Sequence, residues 1–364
     1  MIYLDNGATS FPKPASVIRT VESAMVRCAN PGRGGHRPAM EAAETVYRCR
    51  ERAGKFFGCR PEQVAFTGNC THGLNIAIRS LVEPGQTVVV SGFEHNAVIR
   101  PLHALDARIT VAGRKLFDRQ DTLNAFEDAL KKRPAAAVFT HVSNVFGYVL
   151  PVKEIAALCR RYGVPFVLDA AQSAGTEEID LEKLGAAYIA MPGHKGLQGP
   201  MGTGLLLCGR MPAPLLFGGT GTESASREMP EYLPERLEAG TVNVPGIAGL
   251  DAGMAWVMAQ GRERIRRREA LLARHCAREM EKMDLRVFTG PNQGGTVSFV
   301  PKGDCEETAQ RLGRRGICVR AGLHCAALAH ESAGTLETGT VRISFGPANH
   351  RHHTERLLGI LAGL

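Results

Sequence analysis

Short apolar runs of strand length alternate with segments of helical period between residues 60 and 208. The helix candidates include 71–81, 121–133 and 152–163, the last of which ends in Gly163, where a helix C-cap is expected. The strand candidates are VAFTG (64–68), TVVVS (87–91), RITVAG (108–113), AAVFTHV (136–142), PFVLDAA (165–171), AYIAM (187–191) and TGLLLC (203–208). This alternation predicts βαβ units and a mostly parallel, seven-stranded sheet with helices on both faces.

The pattern changes after a connection rich in Gly and Pro at 209–247. A long helical region is predicted over about 248–283, followed by further strand candidates, a helix over about 304–315 and a final helix from about 352. This second set predicts a smaller α+β domain. We therefore divide the chain into a large domain, 16–247, and a small domain made of 1–15 and 248–364.

Composition and charge narrow the classes of protein. The chain has 44% hydrophobic and 22% charged residues, and no apolar run approaches the roughly 20 residues that cross a bilayer. The N-terminus has no basic segment followed by an apolar run, so we expect a cytoplasmic protein without a membrane partner. The net charge is +8, and the densest basic run, RERIRRRE (262–269), predicts a solvated helix face or a surface for an acidic partner. Without a recognisable motif, we do not expect nucleic-acid binding.

Ten cysteines are distributed along the chain without any CxxC pair. Disulfides are rare in reducing compartments, and structural zinc sites have closely paired ligands. We therefore expect free thiols and no metal site. One of these thiols, Cys325, lies in RAGLHCAALAH (320–330), where His324 and Arg320 are candidate cationic neighbours that would raise the thiolate fraction.

Two polar residues lie between predicted strands. Lys195 lies in MPGHKGLQGPMGTG (191–204), where a lysine on a glycine-rich loop can form a Schiff base with an aldehyde cofactor. Taken alone, an exposed loop lysine is an equally good interpretation. Asp169 ends the strand FVLD, where it would face the ligand crevice of a parallel sheet and could pair with a pyridinium nitrogen. A turn or cap is the simpler interpretation of Asp169 alone, but the pair together favours a cofactor site.

Two further stretches fit such a site. In FTGNCTHGLN (66–75), a strand leads into a helix whose first N–H groups, with Asn69 and Thr71, would cradle a phosphate. Ordinary N-capping by Thr71 is the alternative. His95, after the next strand, could stack on a flat ring and move protons, although a lone loop histidine is more often structural.

Taken together and in order, the motifs resemble fold-type I pyridoxal phosphate enzymes of the class V aminotransferase superfamily. More narrowly, the chain resembles the cysteine desulfurase and selenocysteine lyase group. The resemblance runs nearly from end to end and is carried by YLDNGATS (3–10), NPGRGGH (30–36), FTGNCTHGLN (66–75), EH (94–95), HVSNVFG (141–147), VLDAAQS (167–173), PGHKG (192–196), EAGTVN (238–243), RAGLHCA (320–326) and VRISFG (341–346).

The resemblance implies a role for each matching residue. Lys195 would carry pyridoxal 5'-phosphate, Asp169 would bind its ring nitrogen, and Gln172 would bind its phenolic oxygen. His95 would stack on the ring and assist proton transfer. The phosphate contacts implied are Cys70, Thr71, His194 and, from the partner subunit of a homodimer, Thr241.

The implied substrate site contains Asn144, Arg320 and Arg342, of which Arg342 would clamp the substrate carboxylate and Asn144 would lie near both the substrate and the cofactor ring. The implied reaction converts L-cysteine to L-alanine and leaves sulfur on Cys325 as a persulfide. The nucleophile would lie on a compact loop, and an acceptor protein would take the sulfur. Alternatives are a selenocysteine lyase, or an aminotransferase, epimerase or other lyase of the same superfamily. A non-catalytic scaffold or a cysteine-based metal or redox module is a third class.

Three departures from the family pattern indicate a divergent branch. Pro192 stands where desulfurases commonly have serine, Cys70 where threonine is frequent, and GTVN replaces GTPN. Pro192 and Cys70 shift the expected phosphate contacts toward backbone N–H groups. None of the three alters Lys195, Asp169 or Arg342. The preferred amino acid stays open.

Overall fold

A computed structural model describes residues 1–32 and 34–363. The strands are β1 (Ile2–Tyr3), β2 (Val64–Thr67), β3 (Thr87–Ser91), β4 (Arg108–Ala112), β5 (Ala136–Thr140), β6 (Phe166–Asp169), β7 (Tyr188–Pro192), β8 (Gly204–Cys208), β9 (Arg286–Phe288), β10 (Thr296–Val300), β11 (Ile317–Cys318), β12 (Arg320–Gly322) and β13 (Thr340–Ser344). The helices are α1 (Ala15–Arg27), α2 (Arg37–Phe57), α3 (Cys70–Leu81), α4 (Asn96–His103), α5 (Arg119–Leu130), α6 (Val152–Tyr162), α7 (Leu181–Leu184), α8 (Val244–Gln260), α9 (Arg262–Glu281), α10 (Cys305–Arg314), α11 (Ala327–Ala333) and α12 (Arg351–Leu361).

The seven strand candidates form one sheet in the order β2-β8-β7-β6-β5-β3-β4. Strand β8 runs antiparallel to both of its neighbours, and the other pairings are parallel. Every residue of β5, β6, β7 and β8 is buried, which explains why these strands are almost continuously apolar. The prediction of a mostly parallel, seven-stranded α/β sheet is confirmed.

Helices cover both faces of this sheet. Successive residues of a strand point to opposite faces, and Val138 and Phe139 of β5 accordingly belong to different apolar clusters. On one face, Phe139 stacks on Phe166 with ring centroids 5.3 Å apart. The buried sheet is therefore a rigid support for the loops at its edges.

The second αβ set forms an antiparallel sheet in the order β12-β13-β10-β9, beside the two-stranded parallel pair β1-β11. Its apolar cluster joins the N-terminal Leu4 to residues of α9, α10 and α12. The division at 15/16 and 247/248 stays a prediction. Leu250 and Met254 of α8 pack in a cluster of the large sheet, and Leu272 of α9 packs in the cluster of the small one.

The long helical region predicted over 248–283 consists of two helices, α8 and α9. Gly261 separates α8 from α9 and has a φ of +81°, a conformation that ends a helix and favours glycine. The RERIRRRE run thereby starts a new helix. Within the part of the chain that the structure describes, no helix is long and apolar enough to span a membrane.

Candidate active site

Lys195 lies in the loop between β7 and β8, and two glycines fix the course of this loop. The carbonyl of Gly196 lies 2.3 Å from where a Cβ on Gly175 would be, and Gly175 has a φ of +98°. Only glycine allows this approach, which sets the lysine loop against the turn after β6. Burial lowers the pKa of Lys195, and the nearby charge of Arg342 lowers it further, while Asp169 opposes the shift. The amine is therefore more readily neutral and nucleophilic than an exposed lysine.

Asp169 ends β6 and is buried. It pairs in register with Thr140 of β5 and Ala190 of β7, so it shares a sheet edge with the lysine loop. Its Oδ1 accepts a hydrogen bond from the N–H of Ala171 at 2.9 Å and one from the thiol of Cys70 at 3.5 Å. The described hydrogen bonds to its side chain thus go to Oδ1.

The N-terminus of α3 adjoins Asp169. Asn69 caps the helix, because its Oδ1 accepts the N–H of His72 at 2.9 Å. Capping by Thr71, the alternative considered for this residue, is therefore wrong. Thr71 is exposed and Cys70 is buried, and the backbone N–H groups of both lie in the first helical turn, where no intrahelical acceptor exists. Burial raises the pKa of Cys70 well above its usual value, so Cys70 is a neutral thiol that donates to Asp169.

His95 is half-buried at the start of α4. Its Nδ1 accepts the N–H of Ala97 at 3.0 Å, so in the neutral ring the proton lies on Nε2. Burial lowers the pKa of His95, and the Asp169 carboxylate opposes this effect. The histidine is thus a neutral donor through Nε2 near neutral pH.

The N-terminal segment covers the lysine loop. The carbonyl of His194 accepts hydrogen bonds from Ser10 N–H at 3.1 Å and Lys13 Nζ at 2.6 Å, and its Nδ1 lies 3.1 Å from Thr9 Oγ1. Burial lowers the pKa of His194 to about 4. Gln172 also meets this segment, since its Nε2 donates to the carbonyl of Gly7 at 3.0 Å.

Arg342 lies on β13, in register with Arg320 of β12. It is buried, and its Nη1 donates to the carbonyl of Asn144 at 3.0 Å. Asp5 joins the two arginines, because its carboxylate accepts Arg342 Nη2 at 2.6 Å and Arg320 Nε at 3.0 Å. The Nε of Arg342 has no hydrogen-bond partner among the described residues. The structure thus groups three residues implied in substrate binding, Asn144, Arg320 and Arg342.

Cys325 lies between β12 and α11, in a segment comprising residues 323–326, which we call the thiol segment. Among the cysteines of the described chain, Cys325 is the exposed one, and the other nine are buried or half-buried free thiols. The carbonyl of Cys325 accepts the N–H of Asn96 at 2.7 Å, and the carbonyl of His324 accepts Asn144 Nδ2 at 2.8 Å. These bonds attach the thiol segment to Asn96, which follows His95, and to Asn144, whose backbone carbonyl binds Arg342.

His324 does not activate the thiol as a cation. Its ring is buried, and its Nε2 lies 3.2 Å from both the carbonyl and the hydroxyl of Thr340. Burial lowers the pKa of His324 to about 2, and the charge of Arg342 acts in the same direction, so the ring is neutral. The expectation of a cationic His324 is wrong, whereas the predicted effect of Arg320, which is half-exposed on β12 and paired with Asp5, stays a prediction.

Thr241 is not brought to Lys195 within the chain. It is exposed and lines a separate cavity. The same cavity is lined by Tyr47 and Arg50 of α2 and by other residues of the 219–242 region. Its role at a partner's site stays a prediction.

Two acidic residues near the site were missed by the sequence analysis. Asp5 lies in the quoted motif YLDNGATS, but its partners are more than 300 residues away along the chain. Glu94, directly before His95, is buried, and its Oε1 accepts the N–H groups of Ser91 and Thr140. Burial raises the pKa of Glu94 to about 8. The signal available in the sequence for Glu94 was a charged residue shortly after an apolar strand.

The donor set of this site fits pyridoxal phosphate. The amine of Lys195 suits an aldehyde, the buried carboxylate of Asp169 suits a pyridinium nitrogen, and the free N–H groups at the start of α3 suit a phosphate. No group of three or more His, Cys, Asp and Glu side chains within residues 1–32 and 34–363 forms a metal site.

The fold and this donor set define a fold-type I enzyme. A family model described as aminotransferase class-V matches residues 2–357. The chain therefore belongs to the aminotransferase class-V family.

Individual relatives carry a narrower name. The chain is 33% identical to a probable cysteine desulfurase of Pyrococcus abyssi, with 100% of this chain and 94% of the relative covered. It is 32% identical to a probable cysteine desulfurase of Methanothermobacter thermautotrophicus, with 99% and 92% covered. The apo structure of a cysteine desulfurase from Thermococcus onnurineus superposes with a TM-score of 0.92 at 31% identity, covering 100% of this chain and 94% of that one.

Proposed function

We propose that the chain is a pyridoxal phosphate-dependent cysteine desulfurase, which converts L-cysteine to L-alanine and passes the sulfur through Cys325 to an acceptor protein. The observation that carries this proposal is that the Asn96 and Asn144 hydrogen bonds attach the segment with the exposed Cys325 thiol to the site. The names of the relatives support the same reaction. A thiol placed in this way suits nucleophilic attack on a substrate sulfur.

Lys195 would hold the cofactor covalently, Asp169 would bind its ring nitrogen, and His95 would lie against its ring. Gln172 would bind the phenolic oxygen, and the start of α3 (Cys70, Thr71) together with His194 would bind the phosphate. When bound, the cofactor supplies an electron sink for bonds broken on the substrate. The chain's own residues supply orientation and proton transfer.

Arg342 would bind the substrate carboxylate, because its guanidinium is already held in place by Asp5 and by the carbonyl of Asn144. Lys195 would move protons through Nζ, since its lowered pKa favours the neutral, proton-accepting form. His95 would hold or donate a proton at Nε2, because its Nδ1 is occupied by the N–H of Ala97.

The sulfur transfer needs no external oxidant, because the thiol of Cys325 supplies the attacking sulfur. The Cys325 thiolate attacks the substrate sulfur, a sulfur–sulfur bond forms, and the carbon–sulfur bond of the substrate breaks. The carbon fragment keeps that electron pair, takes up protons and leaves as alanine, and Cys325 remains as a persulfide. An acceptor thiol then removes the outer sulfur by attacking it.

A homodimer is part of this proposal. Apolar side chains are exposed on α1, on α2 and in the 209–243 region, for example Val26 with 82% and Phe217 with 77% of its surface accessible. Such a surface is typical of a protein–protein interface. Thr241 lines a cavity with Tyr47 and Tyr232, which are also exposed, so this interface would bring Thr241 to a partner.

The test is to incubate the purified holoenzyme with L-cysteine and a thiol reductant and to measure sulfide and alanine. We expect equimolar products, and a loss of at least about a hundredfold in Cys325→Ala but not in the control Cys28→Ala. Undiminished cysteine turnover in Cys325→Ala would contradict the assignment of the nucleophile. Selenocysteine is tested in parallel, because selenium can leave without thiol attack. Turnover of other amino acids without sulfide would favour an aminotransferase, epimerase or other lyase.

A further inference from the structure

The thiol segment is attached to both sheets of the protein. On the small-sheet side, the ring of His324 binds Thr340 of β13 through Nε2 at 3.2 Å. On the large-sheet side, the carbonyl of the same His324 accepts Asn144 Nδ2 at 2.8 Å, four residues after the end of β5. The position of the neighbouring thiol therefore depends on contacts with both parts of the chain.

The backbone of this segment requires such support. His324 and Cys325 have φ values of +49° and +55°, in the left-handed region that non-glycine residues rarely occupy. Residues in this conformation persist where their surroundings hold them. The bonds from Asn144 to the His324 carbonyl and from Asn96 to the Cys325 carbonyl reach two consecutive peptide units of the segment.

The protonation state of His324 determines its hydrogen bond to Thr340. The carbonyl of Thr340 can only accept a hydrogen bond, so Nε2 of His324 carries the proton. Because the ring is buried, it stays neutral through the physiological pH range. His324 is thus a structural donor.

Asn144 has two separate connections. Its side-chain amide binds the His324 carbonyl, and its backbone carbonyl accepts Arg342 Nη1 at 3.0 Å. One residue therefore links the arginine proposed for the substrate carboxylate to the segment that carries the thiol.

We propose that Asn144 and His324 are positioning residues that hold the Cys325 thiol in register with the substrate bound at Arg342. This inference rests on the proposed function, in which Cys325 is the nucleophile. Neither residue needs to touch the sulfur, because both act through the backbone of the thiol segment.

The first test measures hydrogen exchange in the holoenzyme without substrate. Asn144→Ala removes the donor to His324 and leaves the backbone carbonyl that binds Arg342. We expect exchange to accelerate about tenfold at the amides of Asn96 and Ala326, because both donate to carbonyls of the thiol segment. The matched control is Asn124→Ala, which removes an exposed asparagine on α5 and should leave both amides unchanged.

The second test measures the first-turnover rate of persulfide formation on Cys325 by mass spectrometry. We expect about a tenfold loss in Asn144→Ala and in His324→Leu, with the cofactor absorbance unchanged. His324→Gln should retain most of the rate, because its amide can still donate to Thr340.

Three results would overturn the inference. One is exchange at Asn96 and Ala326 within twofold of the unmodified protein in Asn144→Ala. Another is slower persulfide formation with unchanged exchange, which would place Asn144 on the substrate instead. The third is equal loss in His324→Gln and His324→Leu. If the unmodified protein forms no persulfide, the proposed function fails, whereas the exchange test still decides whether these residues hold the segment.

Discussion

Asp5 holds Arg342 through a hydrogen bond of 2.6 Å between Oδ1 and Nη2, with both side chains largely removed from water. The second carboxylate oxygen of Asp5 accepts Arg320 from the neighbouring strand. Removing one member of such a pair leaves an uncompensated buried charge, so Asp5 and Arg342 function as a unit. The arginine is thereby oriented before any substrate arrives.

Arg342→Lys tests this orientation. An ammonium group cannot bind Asp5 and a substrate carboxylate with the two-pronged geometry of a guanidinium. We expect the KM for cysteine to rise at least about tenfold, with a smaller change in kcat. The control is Arg278→Lys on the exposed face of α9, which should behave as the unmodified enzyme. An unchanged KM in Arg342→Lys would place carboxylate recognition elsewhere.

Lys195→Arg tests covalent attachment of the cofactor. A guanidinium keeps the positive charge but is not a nucleophile, so borohydride reduction should no longer attach pyridoxal phosphate to the peptide containing residue 195. Activity should fall at least about a thousandfold. Lys13→Arg is the matched control, since Lys13 also lies at this loop, 2.6 Å from the carbonyl of His194. Peptide mass spectrometry should still find the label on Lys195 in that variant, and a label on Lys13 of the unmodified protein would refute the assignment.

Glu269→Gln tests the pH dependence of stability. Glu269 on α9 is buried, and no hydrogen bond or ion pair to its carboxylate occurs among the described residues. Burial raises its pKa to about 8, so the folded protein binds more protons than the unfolded chain between about pH 4.5 and 8. The free energy of unfolding should therefore fall as the pH rises through that window.

Glu269→Gln should remove this pH-dependent decrease in the free energy of unfolding. Chemical denaturation should show Glu269→Gln to be more stable than the unmodified protein at pH 9, by on the order of 2 kcal/mol, and equally stable at pH 5. Glu281→Gln, on the exposed end of the same helix, should show no such pH-dependent difference. Parallel stability curves for Glu269→Gln and the unmodified protein would show that Glu269 ionises normally.

Thr241→Ala tests whether the site is shared between subunits. We expect Thr241→Ala and Lys195→Ala each to be strongly impaired alone. After dissociation and random reassociation of equal amounts, half of the dimers are mixed, and each mixed dimer has one intact site if Thr241 acts across the interface. Activity should then recover to about a quarter of the unmodified level. No recovery would mean that Thr241 acts within its own subunit or not at all.

The strands of the large sheet were predictable because all are short, and the central ones are buried on both faces and mostly separated by helical segments. Lys195 and Asp169 were predictable for a related reason, since each follows such a strand at the edge where a parallel sheet binds ligands. The resemblance to known motifs then identified Cys325 among ten cysteines. The strands, the two site residues and the cysteine motif can each be recognised from residues that are close together in the sequence.

The rest depends on contacts between distant residues. Nothing near Asp5 indicates Arg342, which lies 337 residues later. His324 adjoins a thiol and was expected to be charged, but its burial against Thr340 depends on how β13 packs. The break at Gly261 was not predicted, although the largely apolar sequence of α8 changes there to the strongly charged sequence of α9.

Because Gly175 and Gly196 lie in contact, different positions of the site differ in the substitutions that they tolerate. Any side chain at either position would push the lysine loop away from the turn after β6, so substitutions there cannot adjust substrate choice without displacing the reactive amine. Residues 320–326 carry no comparable steric limit on the lysine. A library intended to change the accepted amino acid would therefore vary the neighbours of Cys325 along the thiol segment and keep His324, Cys325 and the two glycines.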